Sequence, residues 1–111
     1  MKLITFEKDG KTGAGILRGN RVIPLGMSMT ELIRSGIRPA DLPEDGDGLP
    51  LQSVRLLAPI PHPEQDILCL GMNFADHTLE AARFHPTMVR ETKAVYFSKR
   101  VDEAVAPGGV I

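Results

Sequence analysis

Two dipeptides near the N-terminus constrain this chain more than anything else in its 111 residues. Asp9-Gly10 and Gly19-Asn20 each interrupt short apolar runs with two residues that tolerate positive φ. That is a strong short-range signal for a two-residue hairpin turn. Before the first turn, residues 2 to 7 alternate apolar and polar side chains on a β-favouring composition. Gly13 to Arg18 reads as the hairpin partner, and Arg21 to Leu25 follows the second turn. The prediction is a three-stranded antiparallel meander. Three strands sharing an apolar face can be stable where a lone hairpin is not.

The meander should be followed by a short helix. Ser28-Met29-Thr30-Glu31 fits a capping box ahead of Leu32-Ile33-Arg34, and Gly36 is placed to end the helix. Residues 39 to 50 carry three prolines and several acids, which predicts a loop. Residues 52 to 57 return to a strand pattern. Pro59, Pro61 and Pro63 then hold the chain extended, since each restricts itself and the residue before it. The expected organisation is a small β-rich domain over 1–58, a proline-rich linker over 59–65, and a second domain beginning at 66.

Composition narrows the function classes. Aromatic content is 5% with no Trp, so any core is aliphatic. A formal net charge of −1 and the lack of a Lys/Arg cluster give no electrostatic case for nucleic acid or an anionic membrane. The N-terminus lacks a signal-peptide apolar region, and no stretch is long enough to span a bilayer, so a cytoplasmic protein is the default expectation. A single cysteine excludes an internal disulfide, and Cys69, in the apolar run of residues 67 to 70, is expected to be a small buried hydrophobe.

That run reads as a strand, and the ten residues after it carry the chemistry. Gly71-Met72-Asn73-Phe74-Ala75-Asp76-His77-Thr78-Leu79-Glu80 predicts a turn and then a helix reaching about Phe84, with Asn73 as N-cap and His85-Pro86 as its end. His77 and Glu80 are three apart and share a helix face, where a carboxylate can hold an imidazole in one tautomer and raise its basicity. The spacing alone also fits a solvated surface pair. His62, between prolines, and His85, at a helix end, have weaker claims to function. Asp76 falls on another face of the helix. Residues 86 to 92 form a polar loop, a surface connection or a lid, before a strand at Ala94 to Ser98.

Gly71, Asn73, Phe74, His77 and Glu80 together resemble the motif Gly-x-Asn-Tyr-x-x-His-x-x-Glu that opens the catalytic domain of the fumarylacetoacetate hydrolase family, with Phe74 in place of Tyr. Leu56-Leu57-Ala58-Pro59-Ile60-Pro61 looks like the family's lead-in to that strand. Val95-Tyr96-Phe97-Ser98-Lys99 looks like its next strand, and Ala106-Pro107-Gly108-Gly109-Val110-Ile111 is similar to the Gly/Pro-rich turn after it. Residues 1 to 25 look like the small N-terminal domain of bacterial two-domain members, some of which are 2-hydroxyhepta-2,4-diene-1,7-dioate isomerases or hydrolases of aromatic-compound catabolism. The resemblance implies an α+β chain: a small mostly-β N-terminal domain, then the first strand–helix–strand of a mixed β-roll catalytic domain.

It also implies chemistry. His77 corresponds to a general base and Glu80 to the acceptor of its other ring proton. Met72, Asn73 and Lys99 fall at positions near the substrate, although Asn73 is also a plain helix cap and Lys99 a plain strand-end lysine. Met72 stands where some members have an Arg able to meet a substrate carboxylate. The family holds Mg²⁺ or Mn²⁺ with a Glu-x-Glu pair and a later Asp. Glu-x-Glu occurs nowhere in residues 1–111, so those ligands are expected downstream of Ile111. The implied substrate is a 2-oxo or 1,3-diketo acid, processed by C–C hydrolysis, isomerisation or decarboxylation through a metal enolate, and the implied assembly is a homodimer. The reading from another class is a non-catalytic N-terminal module for folding or dimerisation.

Overall fold

The computed structural model describes residues 1–43, 45–71, 79, 83 and 95–110. These divide into two units, Met1–His62 with Glu103–Ile111, and Pro63–Asp102. The described residues are mostly β, with little helix.

The first unit is built on the expected meander: β1 (Lys2–Lys8), β2 (Lys11–Arg18) and β3 (Arg21–Pro24), antiparallel throughout. Asp9 and Gly10 both have positive φ, 51° and 74°, as a type I′ turn requires. At the second turn only Gly19 does, at 52°, which matches a type II′ turn with glycine first. Two further strands are very short. β4 (Leu49–Pro50) pairs with β3, and β5 (Arg55–Leu56) pairs with β1, giving the order β4-β3-β2-β1-β5. The strand expected over 52 to 57 is therefore smaller than predicted. Residues 51–53 form a 3₁₀ turn instead, and only Arg55 and Leu56 reach the ladder.

Opposed residues in an antiparallel pair share a face, so the register sorts the side chains. Thr5, Ala14, Ile16 and Ile23 lie on one face, and Phe6, Gly13, Gly15 and Val22 on the other. The helix α1 (Met29–Ser35) covers the first face, burying Met29 and Leu32 over Ala14, Ile16 and Ile23. Its capping box forms as the sequence predicts. The Glu31 N–H donates to Ser28 Oγ at 3.2 Å, and the Ser28 N–H donates to Glu31 Oε2 at 2.7 Å. Gly36, at φ 66°, ends the helix in the left-handed region. The loop expected over 39 to 50 contributes more than a connection: Leu42 is buried in the same cluster, after a 3₁₀ turn at Pro39–Asp41.

On the opposite face Phe6 is 5% exposed and Val22 0%. Gly15 lies between them. A Cβ there would fall 2.7 Å from Val22 Cγ1, 3.0 Å from Phe6 Cε1 and 3.1 Å from the Ile23 carbonyl oxygen. Glycine is what lets ring, branched side chain and backbone meet at this point.

The proline segment is fastened to this unit up to His62. The Thr5 hydroxyl, on a residue only 2% exposed, donates to the Pro59 carbonyl at 2.6 Å. The Ala104 N–H donates to the Pro61 carbonyl at 2.7 Å, which brings the chain after residue 102 back alongside the linker. That returning segment then turns at 106–109, with Pro107 second, Gly108 at φ 79° third, and the Gly109 N–H donating to the Ala106 carbonyl at 3.0 Å. This is a type II turn, for which Pro and Gly are the fitting residues.

The second unit contains an antiparallel ribbon of β6 (Ile67–Gly71) and β7 (Val95–Lys99). Ile67, Leu68, Leu70, Val95, Tyr96 and Phe97 are all exposed. Cys69 is half-buried rather than buried, its thiol 3.7 Å from the Ile67 carbonyl. Of the helix expected over 73 to 84, Leu79 and Arg83 are described, both helical and exposed.

Candidate active site

The motif emerges from the end of β6. Gly71 closes that strand and pairs with Val95, the first residue of β7. Sterics do not demand glycine there: a Cβ would meet the Val95 carbonyl oxygen at 3.5 Å and Phe97 Cε1 at 3.6 Å, ordinary contacts. Met72, Asn73, His77 and Glu80 lie outside the described residues.

Lys99 is described. It is the last residue of β7 and pairs with Ile67, the first of β6. It is exposed, with Nζ 6.0 Å from the centre of the Phe97 ring, at the outer limit of a cation–π contact. The register places Gly71 and Lys99 at opposite ends of the ribbon. Four residues of antiparallel strand separate those ends, about 14 Å at the usual rise.

No group of three or more His, Cys, Asp or Glu side chains able to hold a metal ion occurs among the described residues. Among them, no helix is long and apolar enough to cross a membrane.

The first unit has a cleft of about 280 Å³ of mixed polar and apolar lining between the start of α1 and the segments 57–62 and 103–106. Glu7 and Arg55, paired across β1 and β5, form one wall, with the Arg55 guanidinium 2.7 Å from Glu7 Oε2. That hydrogen bond is the main reason Arg55 titrates above its ordinary value, and the Glu103 carboxylate adds to it. Both side chains are substantially exposed, so the pair contributes little to stability. Sequence reading did not single out this cleft, because its walls come from separate segments of the chain, with Glu7 and Arg55 48 residues apart.

The sheet, its turns and α1 fall within the segment with a known counterpart. Residues 1–59 match the family described as Rv2993c-like, N-terminal. The chain belongs to that family. The Rv2993c-like N-terminal domain is part of the N-terminal region of the fumarylacetoacetate hydrolase family. No curated protein and no solved structure matches the chain. The match ends at Pro59, the first residue of the proline segment, so it covers the Rv2993c-like sheet and helix and none of Met72, Asn73, His77, Glu80 or Lys99.

Proposed function

We propose that this chain is the N-terminal part of a fumarylacetoacetate-hydrolase-like enzyme acting on a 2-oxo or 1,3-diketo acid. The observation that carries the reading is the order of two signals on one chain. An Rv2993c-like N-terminal domain occupies residues 1–59, and the Gly71–Glu80 motif follows directly on β6. Neither signal alone would choose a chemistry, since a fold hosts many functions.

In this reading a ring nitrogen of His77 takes a proton from water or from the carbon next to a carbonyl. Glu80 accepts the hydrogen bond of the other ring N–H, fixing the tautomer and stabilising the imidazolium as it forms. Asn73 caps the helix, leaving its first N–H groups directed at an anionic substrate group. Met72 and Lys99 complete the substrate contacts. The Mg²⁺ or Mn²⁺ this chemistry calls for would draw its ligands from residues downstream of Ile111 and would stabilise charge on the enolate. A cytoplasmic homodimer is the assembly proposed.

The test is His77→Ala in the longest natural form of the protein, assayed with a 2,4-dioxo acid whose enol is followed by ultraviolet absorbance. The expected result is a loss of about 10²–10⁴ in kcat with the circular dichroism unchanged. Near-full metal-dependent turnover by the variant would remove His77 as the base.

A further inference from the structure

Beside the opening residues of β2, the first unit holds a second cleft of about 470 Å³, within the size range of small-molecule sites. Phe6, Pro24, Met27 and Leu49 give it an apolar lining, and Lys8 and Lys11 join them. Gly13 forms part of its floor. Gly13 lies directly opposite Phe6, and a Cβ there would meet Phe6 Cζ and the Met27 carbonyl oxygen at 3.8 Å, ordinary contact distances. A Cβ at Gly13 would thus sit at ordinary contact distance, whereas one at Gly15, two residues on, would clash.

The charges beside that space are unbalanced. Lys8 and Lys11 face each other directly across β1 and β2. Like charges in that position repel. Neither has an ion-pair or hydrogen-bond partner among the described residues. A carboxylate, Glu31, also lines the cleft, but it is engaged by the backbone and hydroxyl of Ser28. An anion bound at the lysines relieves their repulsion, while a second negative charge on the same ligand would meet Glu31.

We propose that this cleft binds a small organic monoanion, a carboxylate held by Lys8 and Lys11 whose aromatic or branched apolar body lies over Gly13 against Phe6, Met27 and Leu49. The site belongs to the Rv2993c-like domain and does not rest on the catalytic reading.

The test is titration of the ¹⁵N-labelled 111-residue chain with phenylacetate, followed by amide chemical shifts. Saturable shifts at Gly13, Met27 and Leu49 are expected. Neutral phenylacetamide and doubly charged 4-carboxyphenylacetate should each bind about tenfold more weakly, the order of one lost or one opposed surface charge contact. The double variant Lys8→Gln/Lys11→Gln should weaken phenylacetate by a similar factor, and Gly13→Leu should abolish the shifts by filling the hollow. The two lysine changes sit at an open strand end, so they test the site even if Gly13→Leu does not fold. Shifts that fail to saturate, equal binding of phenylacetamide, or undiminished binding by the lysine variant would each overturn the proposal.

Discussion

Gly15→Ala is the smallest change that tests how the first sheet is packed. The added methyl would sit 2.7 Å from Val22 Cγ1, 3.0 Å from Phe6 Cε1 and 3.1 Å from the Ile23 carbonyl. None of the three has room to yield. Val22 and Phe6 are buried, and the Ile23 carbonyl belongs to the neighbouring strand. Overpacking of this kind costs about 1–3 kcal/mol, and contact on three sides places it in the upper half of that range. Alanine also restricts the unfolded chain, returning roughly 0.4–1 kcal/mol. The net expectation is a loss of about 1–2.6 kcal/mol, or roughly 4–20 °C in Tm by the usual scaling for a small domain. Gly13→Ala is the internal control. Its methyl would have neighbours no closer than 3.8 Å, so the entropic gain should leave it neutral or stabilised by about 0.5 kcal/mol. There is no Trp, and the sole Tyr, Tyr96, lies on β7 in the other unit, so Trp or Tyr fluorescence would not report on this sheet. Amide hydrogen exchange at Ala14 and Ile16 reads it directly. If Gly15→Ala exchanged as slowly as the parent, or if Gly13→Ala were the worse of the two, the close approach of Phe6 and Val22 over β2 would be wrong.

Thr5→Val keeps the shape of a buried residue but leaves the Pro59 carbonyl without its 2.6 Å donor, and should cost about 1–2 kcal/mol in urea unfolding. A change below roughly 0.5 kcal/mol would mean that this bond does not fasten the linker. Glu31 titrates below its ordinary value, chiefly because the Ser28 N–H donates to its carboxylate. A lowered folded pKa gives stability that is complete above the unfolded carboxylate pKa and lost as pH falls through the folded one. The stability gap between the parent and Glu31→Gln should therefore be open at neutral pH and close in acid below the ordinary carboxylate range. A gap that widened on acidification would contradict the capping geometry. Ser28→Ala should cost roughly 0.5–2 kcal/mol at neutral pH in the same unfolding assay.

The meander was legible because its determinants are local. Asp9-Gly10 and Gly19-Asn20 set turn geometry from their own backbone preferences, and Ser28 with Glu31 closes a box within four residues. The same locality makes residues 67 to 71 and 95 to 99 readable as strands. The features that were not legible depend on partners distant in sequence. The strand pattern over 52 to 57 is realised only at Arg55 and Leu56, where Phe6 and Glu7 offer an open edge. Leu42 sits in a proline-rich loop, yet the apolar surface between α1 and the sheet draws it into the core.

The site divides along the same line. Sequence by itself determined the turns, the helix caps and the juxtaposition of a strand with a His-x-x-Glu motif, since each is written in neighbouring residues. Only the tertiary structure decided that the ribbon register sets Lys99 and Gly71 at opposite ends. It alone decided that the chain after residue 102 returns to the Pro61 carbonyl. It also decided that Gly13 and Gly15, two residues apart on one face, border a hollow and a tight contact respectively. A glycine carries no side chain from which to read its surroundings. Whether a Cβ there would fit at contact distance or clash is settled by the strands on either side of it.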